Sequence, residues 1–316
     1  MNSLKGLRKD LIAKKFPIKD ERLLNSQEAR GSEMFEIFFL GTGGGRFATI
    51  TQKLRTGGIR ILSNELNIHI DPGPGALIYS LEAGLNPQKI NGVLVSHSHL
   101  DHTNDAEILI EAMTAGGTKK KGTLAAASSV LYGNDICDKA ISNYHRNLPE
   151  KVIEAKAGTE FEIHNLHVTV GKAVHSDPDT VGFRFQMNGF GDVAYMPDSE
   201  YFEGIRDFYG GVKLLILSVL RPLGKPCKGH MSSDDAAKII NEIRPEMAVI
   251  THLGMLMILK GPDHEANLIA EETGIPTIAA KDGMRLALGK EISIGKPEKQ
   301  TGLDSYIKPH SSDQSS

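Results

Sequence analysis

Four side chains able to hold a metal ion fall within six consecutive residues, His97-Ser98-His99-Leu100-Asp101-His102. Imidazole nitrogen and carboxylate oxygen are donors that a borderline cation such as Zn²⁺ accepts, at about 2.0–2.2 Å. The run follows Val93-Leu94-Val95, which reads as a short buried strand. It precedes Asp105-Ala106-Glu107-Ile108-Leu109-Ile110, which reads as the start of a helix. A loop at the end of a strand lets a rigid element aim several donors at one point. The competing reading is a polar loop that happens to be rich in histidine, and it leaves the density of donors unexplained.

Three further residues occupy the same kind of place. His175 follows Val168-Thr169-Val170 by a few positions. Asp198 closes Val193-Ala194-Tyr195-Met196-Pro197, and His252 closes Ala248-Val249-Ile250-Thr251. Each alone would pass for a polar loop residue; together they repeat one placement, the end of a strand. Seven donors are too many for one tetrahedral ion and suit two ions, about 3.5–4 Å apart, sharing a carboxylate. Such a pair can hold a hydroxide, because a bound metal lowers the pKa of water from 15.7 to about 7. Hydrolysis then needs no nucleophilic side chain. Consistently, the chain has neither a Gly-x-Ser-x-Gly elbow nor a Walker phosphate loop.

The remaining histidines divide. His230 stands in Lys228-Gly229-His230-Met231-Ser232, just before a helix with Ser232 as its expected N-cap. A histidine on a loop beside the site can act as a general acid, although the same residue could be a simple loop polar group. His69, in Ile68-His69-Ile70, is expected on the polar face of an alternating strand. His145, His164, His167, His264 and His310 are expected to be exposed.

The elements that would position these donors follow from patterning. Met34 to Leu40 is an apolar run stopping at Gly41-Thr42-Gly43-Gly44-Gly45. A dinucleotide fingerprint would need a third glycine where Arg46 stands and a helix where Ala48-Thr49-Ile50-Thr51 does not read as one, so the glycines are read as a tight turn. Residues 59–62 and 67–70 read as a hairpin around Asn64, 75–83 as a helix and 105–115 as another. Residues 124–127 read as a strand and 130–144 as a helix. Alternating strands follow at 152–153, 161–163, 166–170, 181–187 and 193–196, then a nearly all-apolar central strand at 212–220. A helix over 232–244 stops before Pro245. A strand at 247–251, a helix at 263–273 and strands at 275–279 and 284–288 complete the set.

The chain has 316 residues, 40% hydrophobic and 24% charged, with net charge −3 and pI about 6.5. This describes a globular protein with a sizeable core and argues against a broad nucleic-acid-binding face. No apolar run approaches the roughly 20 residues that span a bilayer, and no signal core opens the chain, so no membrane partner is expected. Cys137 and Cys227 make no disulfide framework, and a reducing, cytoplasmic location is expected. Three segments are expected: an N-terminal extension, 1–32; a hydrolase domain, 33–292; and a polar tail, 293–316. The extension carries several lysines and arginines with Leu4, Leu7, Leu11 and Ile12 at helical spacing. It could be a basic arm for phosphates; a solvated extension is the favoured reading.

The HSHLDH motif with His175, Asp198 and His252, in that order, resembles the metallo-β-lactamase superfamily. Within it the chain looks most like the ribonuclease Z and phosphodiesterase branch. The residues that carry this are Phe39-Leu40-Gly41-Thr42-Gly43, Gly229-His230-Met231-Ser232 and Ala280-Lys281-Asp282-Gly283. The resemblance spans roughly residues 34–290. It implies an α/β fold, a four-layer αββα sandwich with two zinc ions at one edge, Mn²⁺ or Fe²⁺ being alternatives. By resemblance, His97, His99 and His175 would hold one ion, Asp101, His102 and His252 the other, and Asp198 would bridge them. Asp71 would orient a ligand histidine, and Asp101 and His230 would be the catalytic pair, His230 protonating the leaving alkoxide. A homodimer is also implied.

One departure narrows the substrate. Ribonuclease Z enzymes of this size carry a long arm for transfer RNA between the third histidine motif and the bridging aspartate. Here that interval is 23 positions, enough for two strands and a turn. A small or cyclic nucleotide-like phosphodiester is therefore expected, with RNA possible but not favoured. Thioester or lactone hydrolysis in the manner of glyoxalase II is the other enzymatic alternative. The Gly-His-Met-Ser segment speaks against it. A binding protein that has kept the fold is a third class, against which the intact ligand set argues.

Overall fold

The computed structural model describes residues 34–295. The readings made for residues 1–32 and for the tail beyond 295, including His310, lie outside the described residues. Among the described residues, sixteen strands alternate with short helices. They are β1 (Phe35–Phe39), β2 (Ile59–Leu62), β3 (Asn67–Ile70), β4 (Gly92–Val95), β5 (Thr123–Ala127), β6 (Lys151–Ala155), β7 (Glu160–Ile163) and β8 (Leu166–Lys172). They continue as β9 (Val181–Met187), β10 (Gly191–Met196), β11 (Leu214–Arg221), β12 (Met231–Ser232), β13 (Met247–Thr251), β14 (Thr277–Ala279), β15 (Arg285–Leu288) and β16 (Ile292–Gly295).

One sheet has the order β16-β15-β1-β2-β3-β4-β5-β6, the other β14-β13-β11-β10-β9-β8-β7, with β12 paired to β11. The period of two along each strand sorts side chains between the faces. Val193, Tyr195, Leu214, Ile216, Met247 and Val249 join Phe35, Ile37, Phe39, Ile61 and Ile68 in the core between the sheets. Their neighbours Ala194, Met196, Leu215, Leu217, Ala248 and Ile250 face outward, against the helices Ser233–Ile243, Met255–Lys260 and Pro262–Thr273. The helices Ala76–Glu82 and Ala106–Met113 pack with the first sheet, completing the αββα layering. β11, parallel to both β10 and β13 and covered on both faces, has the continuous apolar run expected of such a strand.

Most boundaries agree with the sequence pattern, and the exceptions have physical causes. Gly45–Thr51 is a helix, contrary to expectation. Its threonines satisfy their hydroxyls inside the helix, Thr49 Oγ1 on Gly45 O (2.8 Å) and Thr51 Oγ1 on Phe47 O (2.7 Å). Of the two arguments against a dinucleotide fingerprint, only Arg46 therefore stands. The helix read over 130–144 is two short pieces, Ser128–Tyr132 and Asn143–Arg146. Between them Gly133 takes φ 76° and the Asn134 side chain accepts the amides of Ile136 and Cys137, a local turn that outcompetes helix. The last strand, β16, was not anticipated and carries the first sheet to Gly295.

His69 is the clearest correction among the histidines. It is fully buried, because the helix Ala76–Glu82 covers the face on which it was expected to meet water. Arg60 Nε donates to its Nδ1 (3.1 Å), and its Nε2 donates to Gly57 O (2.8 Å). Arg60 Nη2 bonds Ser80 Oγ of the covering helix, and burial pushes its guanidinium down to about 9. His164 and His264 are exposed as expected. His145 and His167 are half-buried, His145 between Glu107 (3.1 Å) and Glu111 (3.2 Å). The interval from His175 to Asp198 holds only the antiparallel pair β9–β10. No helix among the described residues is long and apolar enough to cross a membrane.

Candidate metal centre

All seven donors meet at the C-terminal ends of β4, β10 and β13 and in the loop after β8. They form two groups: His97, His99, His175 and Asp198, and Asp101, His102 and His252. In the first, His99 Nδ1 lies 3.1 Å from both His97 Nε2 and His175 Nε2. In the second, His252 Nε2 lies 3.0 Å from His102 Nε2 and 3.1 Å from Asp101 Oδ2. Asp198 stands between them, its Oδ2 3.9 Å from His175 Nε2 and 3.8 Å from His102 Nε2.

Local structure aims these groups. β4 ends at Val95, and the short helix Leu100–Thr103 lifts Asp101 and His102 on one turn. Asp71, just past β3, takes four hydrogen bonds. Its Oδ1 accepts Ser96 N (2.7 Å); its Oδ2 accepts Ser96 Oγ (2.7 Å), Tyr195 Oη (2.7 Å) and His102 Nδ1 (2.9 Å). Ser96 Oγ in turn accepts from His97 Nδ1 (3.0 Å). One carboxylate thus orients a candidate donor from each group and leaves Nε2 of both rings to face the centre.

Other holders were not visible in the sequence. Asp177 Oδ2 accepts Ser98 N (3.0 Å), Ser98 Oγ (2.8 Å) and Ser129 Oγ (2.6 Å), which locks the loop between His97 and His99. Gly45 N donates to Asp101 Oδ2 (2.7 Å), and Gly44 leaves room for His252, whose ring a Cβ there would meet at 2.1 Å. Asp282 pins the same glycine loop through Thr42 N and Arg55 N, both at 2.9 Å. His175 Nδ1 donates to Gly229 O at 2.5 Å. That brings His230 beside the site, its Nδ1 3.2 Å from Asp198 Oδ2 and its ring centroid 4.7 Å from that of His175. Asp71 and His252 hold left-handed backbone, φ 51° and 56°, a strain of about 1–3 kcal/mol each that the surrounding bonds enforce.

The electrostatics are those of a site made for cations. Burial, reinforced by the neighbouring imidazoles, holds His97 well below the ordinary histidine value, and burial pushes His175 down to about 4. Burial opposes ionisation of Asp101 and Asp198, yet the adjacent histidines override it and hold both carboxyls well below the usual range. Burial alone would lower His252, but Asp198 and Asp101 raise it to about 10. Asp198 Oδ1, His230 Nδ1 and His252 Nδ1 are buried without a well-aligned hydrogen bond, although the carboxylate oxygens of Asp198 lie 3.0 Å from His252 Nδ1 and 3.2 Å from His230 Nδ1. Buried polar atoms paired this poorly are costly. Five imidazoles and two carboxylates closing on shared points fit a divalent cation chemically.

An αββα sandwich with clustered histidines and aspartates at its strand ends defines the metallo-β-lactamase-fold hydrolases. The β-lactamase superfamily domain model matches residues 66–253, and the chain belongs to that family. It is 39% identical over 255 residues to an uncharacterized protein of Methanocaldococcus jannaschii, covering 80% of this chain and 95% of the relative. A ribonuclease Z of Methanopyrus kandleri is 28% identical over 151 residues, 47% of this chain and 49% of the relative. Among solved structures, the metallo-β-lactamase-fold protein YhfI of Bacillus subtilis superposes with a TM-score of 0.66 at 20% identity, covering 81% of this chain and 99% of that one. A diphosphatase of the PhnP family gives a TM-score of 0.59 at 19% identity, covering 81% and 97%. These likenesses establish the fold.

Proposed function

We propose that the chain is a dinuclear metal-dependent phosphodiesterase acting on a small or cyclic, nucleotide-like phosphodiester, with zinc as the expected metal and Mn²⁺ or Fe²⁺ as alternatives. The observation that carries this is the place of Asp198, between the two donor groups and beside His230. Two divalent ions bound there would supply Lewis acidity toward the phosphoryl oxygens and an activated water at neutral pH. The protein's own groups do the rest. Asp101, aimed by Gly45 N–H, His102, aimed by Asp71, and His252 would make one donor set; His97, His99 and His175 would make the other. In hydrolysis water gives up a proton to solvent, its oxygen adds to phosphorus and the bond from phosphorus to the leaving oxygen breaks. His230 gives that oxygen its proton from Nε2, the nitrogen turned away from Asp198. The narrow interval between His175 and Asp198, filled by β9 and β10, supports a small substrate over transfer RNA. The likeness to ribonuclease Z proteins and to a PhnP-family diphosphatase supports phosphodiester chemistry over thioester or lactone cleavage.

His230→Ala should keep its metal and lose turnover of bis(p-nitrophenyl) phosphate by on the order of 10²–10⁴. Full activity in that variant removes the acid role. A panel of cyclic nucleotides, linear dinucleotides, precursor transfer RNA, a lactone and a thioester tests the class. Cleavage confined to the thioester or lactone would refute the phosphodiester reading.

A further inference from the structure

His230 sits on the loop between β11 and β12, most of which faces water: Leu223, Gly224, Lys225, Pro226 and Lys228 are all exposed. The root of this loop is tied by Leu223 N on Glu265 Oε2 (2.8 Å) and Gly224 N on Asp234 Oδ2 (2.7 Å). At its tip both backbone groups of Gly229 are engaged. The carbonyl accepts from His175 Nδ1, and the amide donates to Glu200 Oε2 at 3.1 Å. Gly229 takes φ 77°, and a Cβ there would lie 3.1 Å from His175 Nδ1, so the close approach depends on glycine. Glu200 is itself fixed to the donor segments. It follows Asp198 by two residues, its amide donates to Val174 O (2.9 Å), and Ser199 Oγ accepts from Val174 N (3.0 Å).

We propose that Glu200 is a positioning residue that latches the Gly229–His230 segment to the metal centre and so sets the reach of His230. The latch couples two ends of one structure: His175 holds the Gly229 carbonyl, Glu200 holds its amide, and the next residue is the proposed acid. This inference rests on the acid role proposed for His230. Glu200 touches no reacting atom; it acts through the backbone, so its loss should lower kcat and leave KM and metal content alone. Cys227, half-buried and bonded through its carbonyl to His230 N (3.0 Å), reports on the loop directly.

The test uses the full-length, metal-loaded protein in a Cys137→Ser background. It measures metal content, kcat and KM on bis(p-nitrophenyl) phosphate, and the rate at which a thiol reagent labels Cys227. Glu200→Ala should keep its metal, lose kcat by on the order of 10–10²-fold with KM within about twofold, and label faster. Glu200→Gln, whose amide oxygen can still accept from Gly229, should recover most of both. The proposal is overturned if Glu200→Ala matches the parent in kcat and labelling, if Gln rescues neither, or if Ala sheds metal. If His230→Ala itself keeps full turnover, the acid reading fails separately, and the latch is judged by the Cys227 labelling rate alone.

Discussion

At Asp71 a single carboxylate gathers Ser96, Tyr195 and His102, and through Ser96 it also reaches His97. Removing it leaves four buried donors without an acceptor and the rings of His97 and His102 free to turn. Asp71→Ala should therefore weaken metal binding by about 10–100-fold, as read by competition with a chelator. Tyr195→Phe removes one of those bonds without opening space, and should cost about 1 kcal/mol of stability in denaturant titration. The seven donors were legible because their types and strand-end positions recur along the chain. Asp71 was reached only through family resemblance, and the sequence does not show that Tyr195, 124 positions away, hydrogen-bonds to it across the sandwich.

His69 carries a pH dependence of its own, apart from the seven candidate donors. Burial and the charge of Arg60 hold it neutral well below the pH at which a free histidine protonates. As pH falls below about 6.5 the unfolded chain takes up that proton and the folded chain does not, so its contribution is complete above that pH and is lost below it. His69→Gln should make the acid-side slope of stability shallower by up to about 1.4 kcal/mol per pH unit, measured by denaturant unfolding across pH 5–7.

Among the elements, the glycine loop and the helix Gly45–Thr51 matter most for the site. The sequence read the glycines as a tight turn, and the structure adds that Gly44 passes directly against the His252 ring. It did not read the helix, because β-branched threonines lower helix propensity only slightly and tertiary support decides the outcome. Gly44→Ala should force His252 aside, destabilise the fold by about 1–3 kcal/mol and weaken metal binding at the Asp101–His102–His252 group. Thermal unfolding with metal titration checks both. Strands were legible from their period of two. The segment 128–144 was not, because the Asn134 turn leaves no mark in hydrophobic periodicity.

At the scale of the molecule, the two sheets meet over one core, and the donors come from both, so closing the sandwich is what assembles the site. Metal should bind the folded chain far better than the unfolded one. Stripping it with a chelator should lower the melting temperature, by the equivalent of about 2.7 kcal/mol if the metal had been at 100 times its dissociation constant. The homodimer remains an expectation from resemblance, checked by the mass of the loaded protein in solution. The proposed centre draws seven side chains from four separate stretches of the sequence to hold two cations through a shared Asp198. Its most direct test is metal analysis of the reconstituted protein beside Asp198→Ala. Two divalent ions per chain are expected in the parent and fewer in the variant; a parent that takes up none, or a variant that keeps both, would overturn the shared-carboxylate centre.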